Sequence, residues 1–382
     1  MRVLFINSLE PNHSDFYFLG LKKLLGEKNV VEYPYKPLYH CYIDNGILVA
    51  KDLQGKIVIR EEPNYGTVKY DYAKDWQVPK IYCLLDSGRY VISDFPEVTD
   101  YDLIICNFLR GSTPLILKKI LFHANTKIPP IIFIDGEDDF YVRSVYKEKR
   151  IVRYFKREIL IRTPEIFHMY LAYSARRYFS KIMHNLPNFY NPNLYFDKLI
   201  YIAYNDHLVK MNPLNMTIPD YGFNPNYNDK IYDISFVANL TSPLRIKVYY
   251  KLLEISRKYK LNSFLYLGRK FATGIPWSKY VKIIAKSKLS VSVPGGSFDT
   301  ARYWEIPYHG TALISWEPWI KIPNNFIDGE SAIFFRKINE LEKKILDYLK
   351  SDKWETLARN GRKHFLQNHT PEKRAEYILS TI

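Results

Sequence analysis

From Ile231 onward, short apolar runs alternate with segments that carry the spacing of amphipathic helices. Four of these runs read IYDISFVAN, SFLYLG, KLSVSV and TALIS, and most are followed by glycine or polar residues. Apolar runs without strict alternation are typical of strands that are buried on both faces of a parallel sheet. Helical segments between them predict βαβ units and a doubly wound sheet.

The first half of the chain contains apolar runs of the same kind. They read RVLFI from Arg2, DLIIC from Asp102 and IIFI from Ile131, and each is followed by polar residues. Strands of this type, joined by long connections, pair in parallel with helices on both faces of the sheet. The fold class predicted for both halves is therefore α/β.

The length of the chain and one segment rich in Pro and Asn predict the domain organisation. A chain of 382 residues is too long for a single ordinary core. The segment MNPLNMTIPDYGFNPNYNDK has the composition of a linker. We therefore predict two Rossmann-like, doubly wound domains that face each other across a cleft. Their ranges are 1–225 and 226–365, and residues 366–382 are predicted as a C-terminal helix that packs back on the N-terminal domain.

The composition of the chain excludes several classes of protein. No apolar run approaches the roughly 18 residues of a membrane-spanning helix, and the first residues lack the layout of a signal peptide. The three cysteines, Cys41, Cys83 and Cys106, are odd in number and lack the spacing of a metal site. We therefore expect a cytoplasmic protein with no structural disulfide and no bound metal.

Positive charge is concentrated in the second half of the chain. Lys and Arg outnumber Asp and Glu by 29 to 25 in residues 1–225 and by 26 to 15 in residues 226–382. A basic domain is suited to binding an anionic ligand such as a nucleotide, a nucleic acid or an anionic membrane surface.

The most informative stretch reads PGGSFDTARYWEIPYHG and follows a predicted strand. Its glycines let the backbone approach a ligand closely, and the N–H groups at the start of the next helix form an anion site. Arg302 lies near that start, where it can pair with a diphosphate. Glu305 lies three residues further on the same face and can accept hydrogen bonds from both hydroxyls of a ribose. A surface ion pair between these two side chains is the alternative.

The same stretch resembles the donor-binding domain of GT-B glycosyltransferases, in particular the group 1 enzymes of CgeB type and the exostosin-like enzymes. The sequence RYWEIPYHG (302–310) is similar to the CgeB-type pattern R-x-x-E-I-P-x-x-G. The resemblance covers residues 231–382. It implies a GT-B fold and transfer of a sugar from a nucleotide-diphosphate donor, UDP- or GDP-linked, to a hydroxyl acceptor, without a metal or another cofactor.

The resemblance also implies roles for individual residues. Glu305 would hold the ribose, and Arg302 would hold the diphosphate together with residues of the preceding loop. These loop residues are Gly295, Gly296, Ser297 and Thr300. Ser297 or Asp299 is the expected N-cap of the helix. The cations that would neutralise the leaving phosphate are Arg245, Arg269 and Lys270.

Two features depart from the pattern of the family. The glycine-rich loop that often follows the first strand of the second domain is replaced by ANLTSP. The second acidic residue of the E-x₇-E pattern is absent, because Ser297 stands in its place. The sequence therefore does not favour a retaining over an inverting mechanism.

Two residues of the first half are candidates for catalysis on the acceptor side. His13 follows the first strand, where many inverting GT-B enzymes place their base, and Glu10 and Asp15 are the alternatives. Asp138, with Asp139 as its alternative, belongs to the acidic sequence IDGEDDF, which follows another predicted strand. That sequence also approximates the metal-binding D-x-D of GT-A enzymes, and a solvated loop is the third interpretation.

Residues 141–181 carry eleven Lys and Arg against three Glu, interleaved with Tyr and Phe. Part of this segment is predicted as amphipathic helix. Its basic face is interpreted in three ways: as a solvated surface, as a surface that docks on an anionic membrane or a lipid-linked acceptor, or as a contact with nucleic acid. The last interpretation has a counterpart in phage DNA glucosyltransferases, which share the GT-B fold and an R-x-W-E sequence like RYWE.

The predicted function is glycosyl transfer to a hydroxyl of a glycan, a lipid-linked acceptor or a protein. A DNA-modifying glucosyltransferase and a non-catalytic nucleotide- or nucleic-acid-binding protein are the alternatives. A protein that binds DNA is expected to show a steep dependence of affinity on salt concentration, which separates these functions.

Overall fold

The structure is a computed structural model of the 382-residue chain. It describes residues 1–6, 15–33, 42–44, 47–51, 55–61, 83–84, 90–91, 96–107, 117, 120, 128–136, 150–157, 199–201, 225–268, 275, 277–295 and 298–382. In chain order, the strands and α-helices with bounds inside these ranges are β1 (Val3–Ile6), α1 (Asp15–Leu25), β2 (Val30–Tyr33), β3 (Tyr42–Asp44), β4 (Ile47–Lys51), β5 (Ile57–Glu61), β6 (Cys83–Leu84), β7 (Tyr90–Val91), β8 (Leu103–Asn107), β9 (Ile131–Asp135), β10 (Ile151–Lys156), β11 (Leu199–Tyr201), β12 (Tyr232–Asn239), α2 (Pro243–Tyr259), β13 (Ser263–Gly268), α3 (Trp277–Ala285), β14 (Ser287–Ser292), α4 (Ala301–Tyr308), β15 (Ala312–Trp316), β16 (Ile333–Phe335), α5 (Glu340–Lys350), α6 (Lys353–Asn368) and α7 (Pro371–Leu379).

The first half of the chain is built on a six-stranded sheet in the order β11-β10-β9-β8-β1-β2. All of its pairings are parallel. The strands β1, β8 and β9 are buried along their whole length, as expected where both faces of a parallel sheet are covered. The chain passes from β2 to the other side of β1, so the strand order reverses between β1 and β8.

The second half is built on a five-stranded parallel sheet in the order β13-β12-β14-β15-β16. Helices α2, α3 and α4 connect successive strands from β12 to β15. The strand order reverses between β12 and β14. Two parallel sheets with helical connections confirm the predicted α/β class with two doubly wound units.

The region between β2 and β8 adds two small antiparallel sheets. One has the order β3-β4-β5, and the other pairs β6 with β7. Among the described residues, no helix combines the length and the apolar character that a membrane crossing requires.

Part of the basic, aromatic segment 141–181 is a strand and not a helix. Residues 151–156 form β10, because the sequence IVRYFK is rich in β-branched and aromatic residues and completes the sheet between β9 and β11. Lys156 and Arg157 are buried, so a solvated face is the wrong interpretation for these two residues. Apart from residues 150–157, the segment lies outside the described part of the chain.

The last helix of the chain, α7, packs against α1 of the first half. The two helices approach closely at Gly20, where a Cβ atom would overlap the backbone carbonyl of Pro371. Lys23 of α1 forms an ion pair with Glu372 of α7. The hydroxyl of Thr370 caps α7 by accepting a hydrogen bond from the Lys373 amide (3.3 Å). The end of the chain therefore contacts the first sheet domain through a helix.

Candidate functional site

The carboxyl ends of β12 and β14 lie at the point where the strand order of the second sheet reverses, which is where doubly wound sheets bind ligands. Arg245 lies in the first turn of α2, beside this point. Its Nη1 donates to the backbone carbonyl of Asn239 (2.9 Å) and to Oγ1 of Thr241 (2.6 Å). Its Nη2 faces the carbonyl of Val293, just beyond β14 (3.5 Å). A buried cation is therefore held at the edge of the sheet where doubly wound folds bind ligands.

The loop after β14 passes directly over this cation. A Cβ atom on Gly295 would lie 2.5 Å from Nη2 of Arg245 and 2.9 Å from Oγ1 of Thr241. Glycine at this position therefore allows the close approach of the loop to the guanidinium group. The hydroxyl of Ser242 donates to the carbonyl of Pro294 (3.0 Å) and ties the start of α2 to the same loop. The structure thus brings together two predicted site residues, Arg245 and Gly295.

Glu305 of α4 is 1% exposed, and its Oε2 accepts a hydrogen bond from the hydroxyl of Tyr280 in α3. The pKa of Tyr280 is raised well above its ordinary value, first because the side chain is buried and then because the Glu305 carboxylate is negative. The phenol is therefore a neutral donor that orients the carboxylate. Because Glu305 is buried, a surface ion pair with Arg302 is the wrong interpretation of this residue.

Arg302 lies half-buried on the same helix as Glu305. The positive charges of Arg302 and Arg245 both act on Tyr280 and lower the pKa of its hydroxyl, against the larger effect of burial. Both guanidinium groups therefore lie close to the pair formed by Tyr280 and Glu305. Chemically, this arrangement offers an acceptor for hydroxyl groups and two donors for an anion.

The helix that carries Glu305 begins at Ala301, with Thr300 as its N-cap residue. The Thr300 hydroxyl makes no capping hydrogen bond and contacts Oγ of Ser292 (3.1 Å). Asp299 is not the cap, because its carboxylate bonds to Trp304 (2.7 Å) and to Arg157 (3.1 Å). The first turn of the helix is therefore capped by neither of these two side chains.

His309, at the other end of α4, is buried and neutral. Burial lowers its pKa to about 3, and the nearby positive charges of Arg362 and Lys230 lower it further. A histidine with this pKa does not exchange protons near neutral pH. Its ring packs against that of Tyr308 at the C-terminal end of the helix (4.9 Å between ring centres).

Six of the predicted site residues lie outside the described part of the chain. They are His13, Asp138, Arg269, Lys270, Gly296 and Ser297. The structure describes the strands that precede the first two, β1 and β9. The carboxylate of Asp135, at the end of β9, accepts hydrogen bonds from Tyr154 (2.5 Å) and Lys156 (3.3 Å) within the sheet.

Two features of the site are missing from the sequence-based prediction. Tyr280 reads as one apolar position of an amphipathic helix, and only its contact with Glu305 distinguishes it. Arg157 reads as one of many cations in a basic segment, although it contacts Asp299 at a separation of 142 residues. In the sequence, Tyr280 could have been singled out because it places a hydroxyl on the apolar face of the helix that precedes β14.

Comparisons with known proteins agree with this architecture. Residues 246–380 match a family model described as glycosyl transferase-like. The whole chain is similar in structure to TarM of S. aureus, with 12% sequence identity and a TM-score of 0.51, over 100% of this chain and 98% of that chain. The fold is therefore the GT-B fold of two doubly wound domains, and its second half contains a glycosyl transferase-like region.

Weaker similarities extend to two further structures. One is the pneumococcal O-GlcNAc transferase GtfA in complex with UDP and GlcNAc, with 9% identity and a TM-score of 0.47, over 100% of this chain and 98% of that chain. The other is Anabaena Alr3699/HepE in complex with UDP-glucose, with 11% identity and a TM-score of 0.44, over 100% of both chains. No curated protein sequence matches this chain.

Proposed function

We propose that this protein is a glycosyltransferase that moves a sugar from a nucleotide-diphosphate donor, UDP- or GDP-linked, to a hydroxyl acceptor. The observation that carries the proposal is the buried carboxylate of Glu305, oriented by Tyr280 and flanked by the cations Arg245 and Arg302. All four residues lie beside or within the region that matches the glycosyl transferase-like model.

In this proposal, the donor nucleotide binds at the carboxyl ends of β12 and β14. Glu305 accepts hydrogen bonds from the 2′- and 3′-hydroxyls of the ribose. Arg302 and the backbone N–H groups at the start of α4 bind the diphosphate, because the helix dipole and the guanidinium group both favour an anion there. Gly295, Gly296, Ser297 and Thr300 complete the loop around the phosphates.

The chemical step is a displacement at the anomeric carbon of the donor sugar. The acceptor oxygen forms a bond to this carbon, the bond from the carbon to the diphosphate oxygen breaks, and the electron pair leaves with the diphosphate. Negative charge therefore grows on the leaving group, and Arg245 is proposed to stabilise that charge. Arg269 and Lys270, which follow β13, are proposed to add to this stabilisation.

The proton of the acceptor hydroxyl must move to a base. His13, which follows β1, and Asp138, which follows β9, are the candidates, because both come after strands of the opposite sheet. Because Arg245 and Arg302 already supply positive charge to the diphosphate, we propose that the transfer proceeds without a metal ion.

Incubation with a panel of UDP- and GDP-sugars tests this proposal. Release of the nucleotide diphosphate is measured by chromatography, with and without a pool of sugar and lipid-linked hydroxyl acceptors. The proposal expects release from one donor, undiminished by EDTA. Nucleotide binding without release would favour a non-catalytic binding protein, and release that requires added Mn²⁺ would contradict metal independence.

A further inference from the structure

Asp299 stands where the two sheet domains meet. The residue is 2% exposed, and its Oδ2 accepts a hydrogen bond from Nε of Arg157 (3.1 Å). Nη2 of the same arginine donates to the backbone carbonyl of Asp299 (2.6 Å). Arg157 directly follows β10 of the first sheet, whereas Asp299 belongs to the loop that leads into α4 of the second. The guanidinium group of Arg157 therefore binds both the side chain and the backbone carbonyl of Asp299.

The other oxygen of Asp299 is bound to the helix that carries Glu305. Its Oδ1 accepts a hydrogen bond from Nε1 of Trp304 (2.7 Å), and Trp304 is the residue directly before Glu305. The guanidinium group of Arg374 in α7 lies 5.4 Å from the centre of the Trp304 ring, and α7 packs against α1. Asp299 thus joins α4 to the first domain through a buried contact at each oxygen.

From these contacts we propose that Arg157 and Asp299 are positioning residues that couple nucleotide binding at α4 to the first domain. The inference rests on the proposed function, in which the nucleotide diphosphate binds at the start of α4. A ligand there contacts the loop that contains Asp299, and Asp299 in turn holds Arg157 at the end of β10. Because the guanidinium group is planar and makes two directed hydrogen bonds, the contact fixes the orientation of the two residues in addition to pairing their charges.

The first-domain end of this contact adjoins the region proposed to serve the acceptor. Lys156, the neighbour of Arg157, is buried and donates to Asp135 at the end of β9 (3.3 Å). Asp138, a candidate base, follows Asp135 by three residues. The pair therefore links the donor helix to the strand ends proposed to serve the acceptor, so that a bound donor favours binding of the acceptor there. By linkage, the effect is reciprocal.

Hydrogen exchange of the full chain, measured by mass spectrometry with UDP and separately with GDP, tests the coupling. In the wild type, the nucleotide that binds is expected to slow exchange about fivefold or more in peptides over 301–308 and over 151–157. In the variant Arg157→Met, protection of 301–308 is expected to remain and protection of 151–157 to be lost. Arg153→Met is the matched control, because Arg153 lies on the same strand and donates to its neighbour's carbonyl (2.8 Å).

The possible outcomes distinguish a failure of the proposed coupling from a failure of the proposed donor site. Nucleotide protection of 151–157 that persists in Arg157→Met would overturn the inference and leave the proposed function standing. Absence of protection over 301–308 in the wild type with either nucleotide would overturn the proposed function, and the inference with it. If Arg157→Met does not fold, Asp299→Asn retains an acceptor for Trp304, and the same loss of protection at 151–157 is expected.

Discussion

The hydroxyl of Tyr280 donates a hydrogen bond to Oε2 of Glu305 and joins helix α3 to helix α4. Both side chains are buried, and burial together with the neighbouring carboxylate raises the pKa of Tyr280 well above its ordinary value. The tyrosine therefore remains a donor at any pH near neutrality. It orients the carboxylate before a ligand arrives, so in the proposed function the ribose does not bear the entropic cost of ordering it.

Tyr280→Phe removes this donor and keeps the ring. A hydrogen bond to a charged group is worth about 1.5–3 kcal/mol. We therefore expect the Kd for the nucleoside diphosphate to rise about tenfold or more. Isothermal calorimetry measures the change. Tyr259→Phe is the matched control, because the Tyr259 hydroxyl donates to Glu342 (2.8 Å) at a site between α2 and α5. Equal losses in the two variants would contradict a specific role for Tyr280.

Arg245→Met removes the cation at the point where the strand order reverses. We expect nucleotide release from the donor sugar to slow by about 10²–10³-fold, because one preorganised donor to the leaving group is worth that much in other enzymes. Steady-state kinetics with the active donor measure the effect. Arg257→Met, at an exposed position of the same helix, is expected to leave the rate unchanged. A normal rate in Arg245→Met would exclude it from the chemical step.

Gly20→Ala tests the contact between α1 and α7. Alanine improves helix propensity by about 1 kcal/mol, but its Cβ would overlap the carbonyl of Pro371, which as a backbone atom cannot rotate away. We expect the overlap to outweigh the propensity and to lower the free energy of unfolding by about 1–3 kcal/mol. Urea denaturation checks this, with Leu24→Ala, at an exposed position of α1, as the control. Unchanged or increased stability would contradict the close packing.

His309 predicts a dependence of stability on pH. Its pKa in the folded protein is lowered to about 3 by burial and by the charges of Arg362 and Lys230, whereas an unfolded histidine titrates near 6.5. The unfolded state therefore binds the proton first, and stability falls as the pH drops from about 6.5 toward 3. Between pH 7.5 and pH 5, we expect His309 to account for a loss of about 2 kcal/mol. His309→Gln should remove that part of the slope in urea denaturation, and an unchanged slope would contradict the assignment.

The sheet of the second half was predictable because its strands and helices alternate along the sequence. The runs from Ile231 to Trp316 obey a simple rule, in which each buried parallel strand is followed by a helix that covers it. The placement of Gly295, Arg302 and Glu305 around one loop and helix follows from that regularity. The prediction of Arg245 came from the family resemblance, which implies a cation in the first helix of the second domain, and α2 is that helix.

Other features depend on contacts between distant parts of the chain. The segment IVRYFK lies in a region that the sequence predicts to be partly helical, because its positive charges favour a solvated face. In the structure it is strand β10, which lies between β9 and β11. The sequence offers the carboxylate of Asp299 as one of two candidate caps, but Arg157 from the other domain binds it. Periodicity along the chain carries no information about such partners, since the first depends on strand pairing within the first sheet and the second depends on how the domains meet.

The central claim is that Glu305 holds the ribose of a donor nucleotide. We would measure by calorimetry the affinity of the wild type and of Glu305→Gln for UDP and GDP, each against its 2′-deoxy analogue. For the nucleotide that binds, the wild type should prefer the ribose form about tenfold or more. Glu305→Gln, which keeps an acceptor for Tyr280, should bind the ribose form more weakly and lose that preference. An undiminished preference in the variant would contradict the assignment of Glu305.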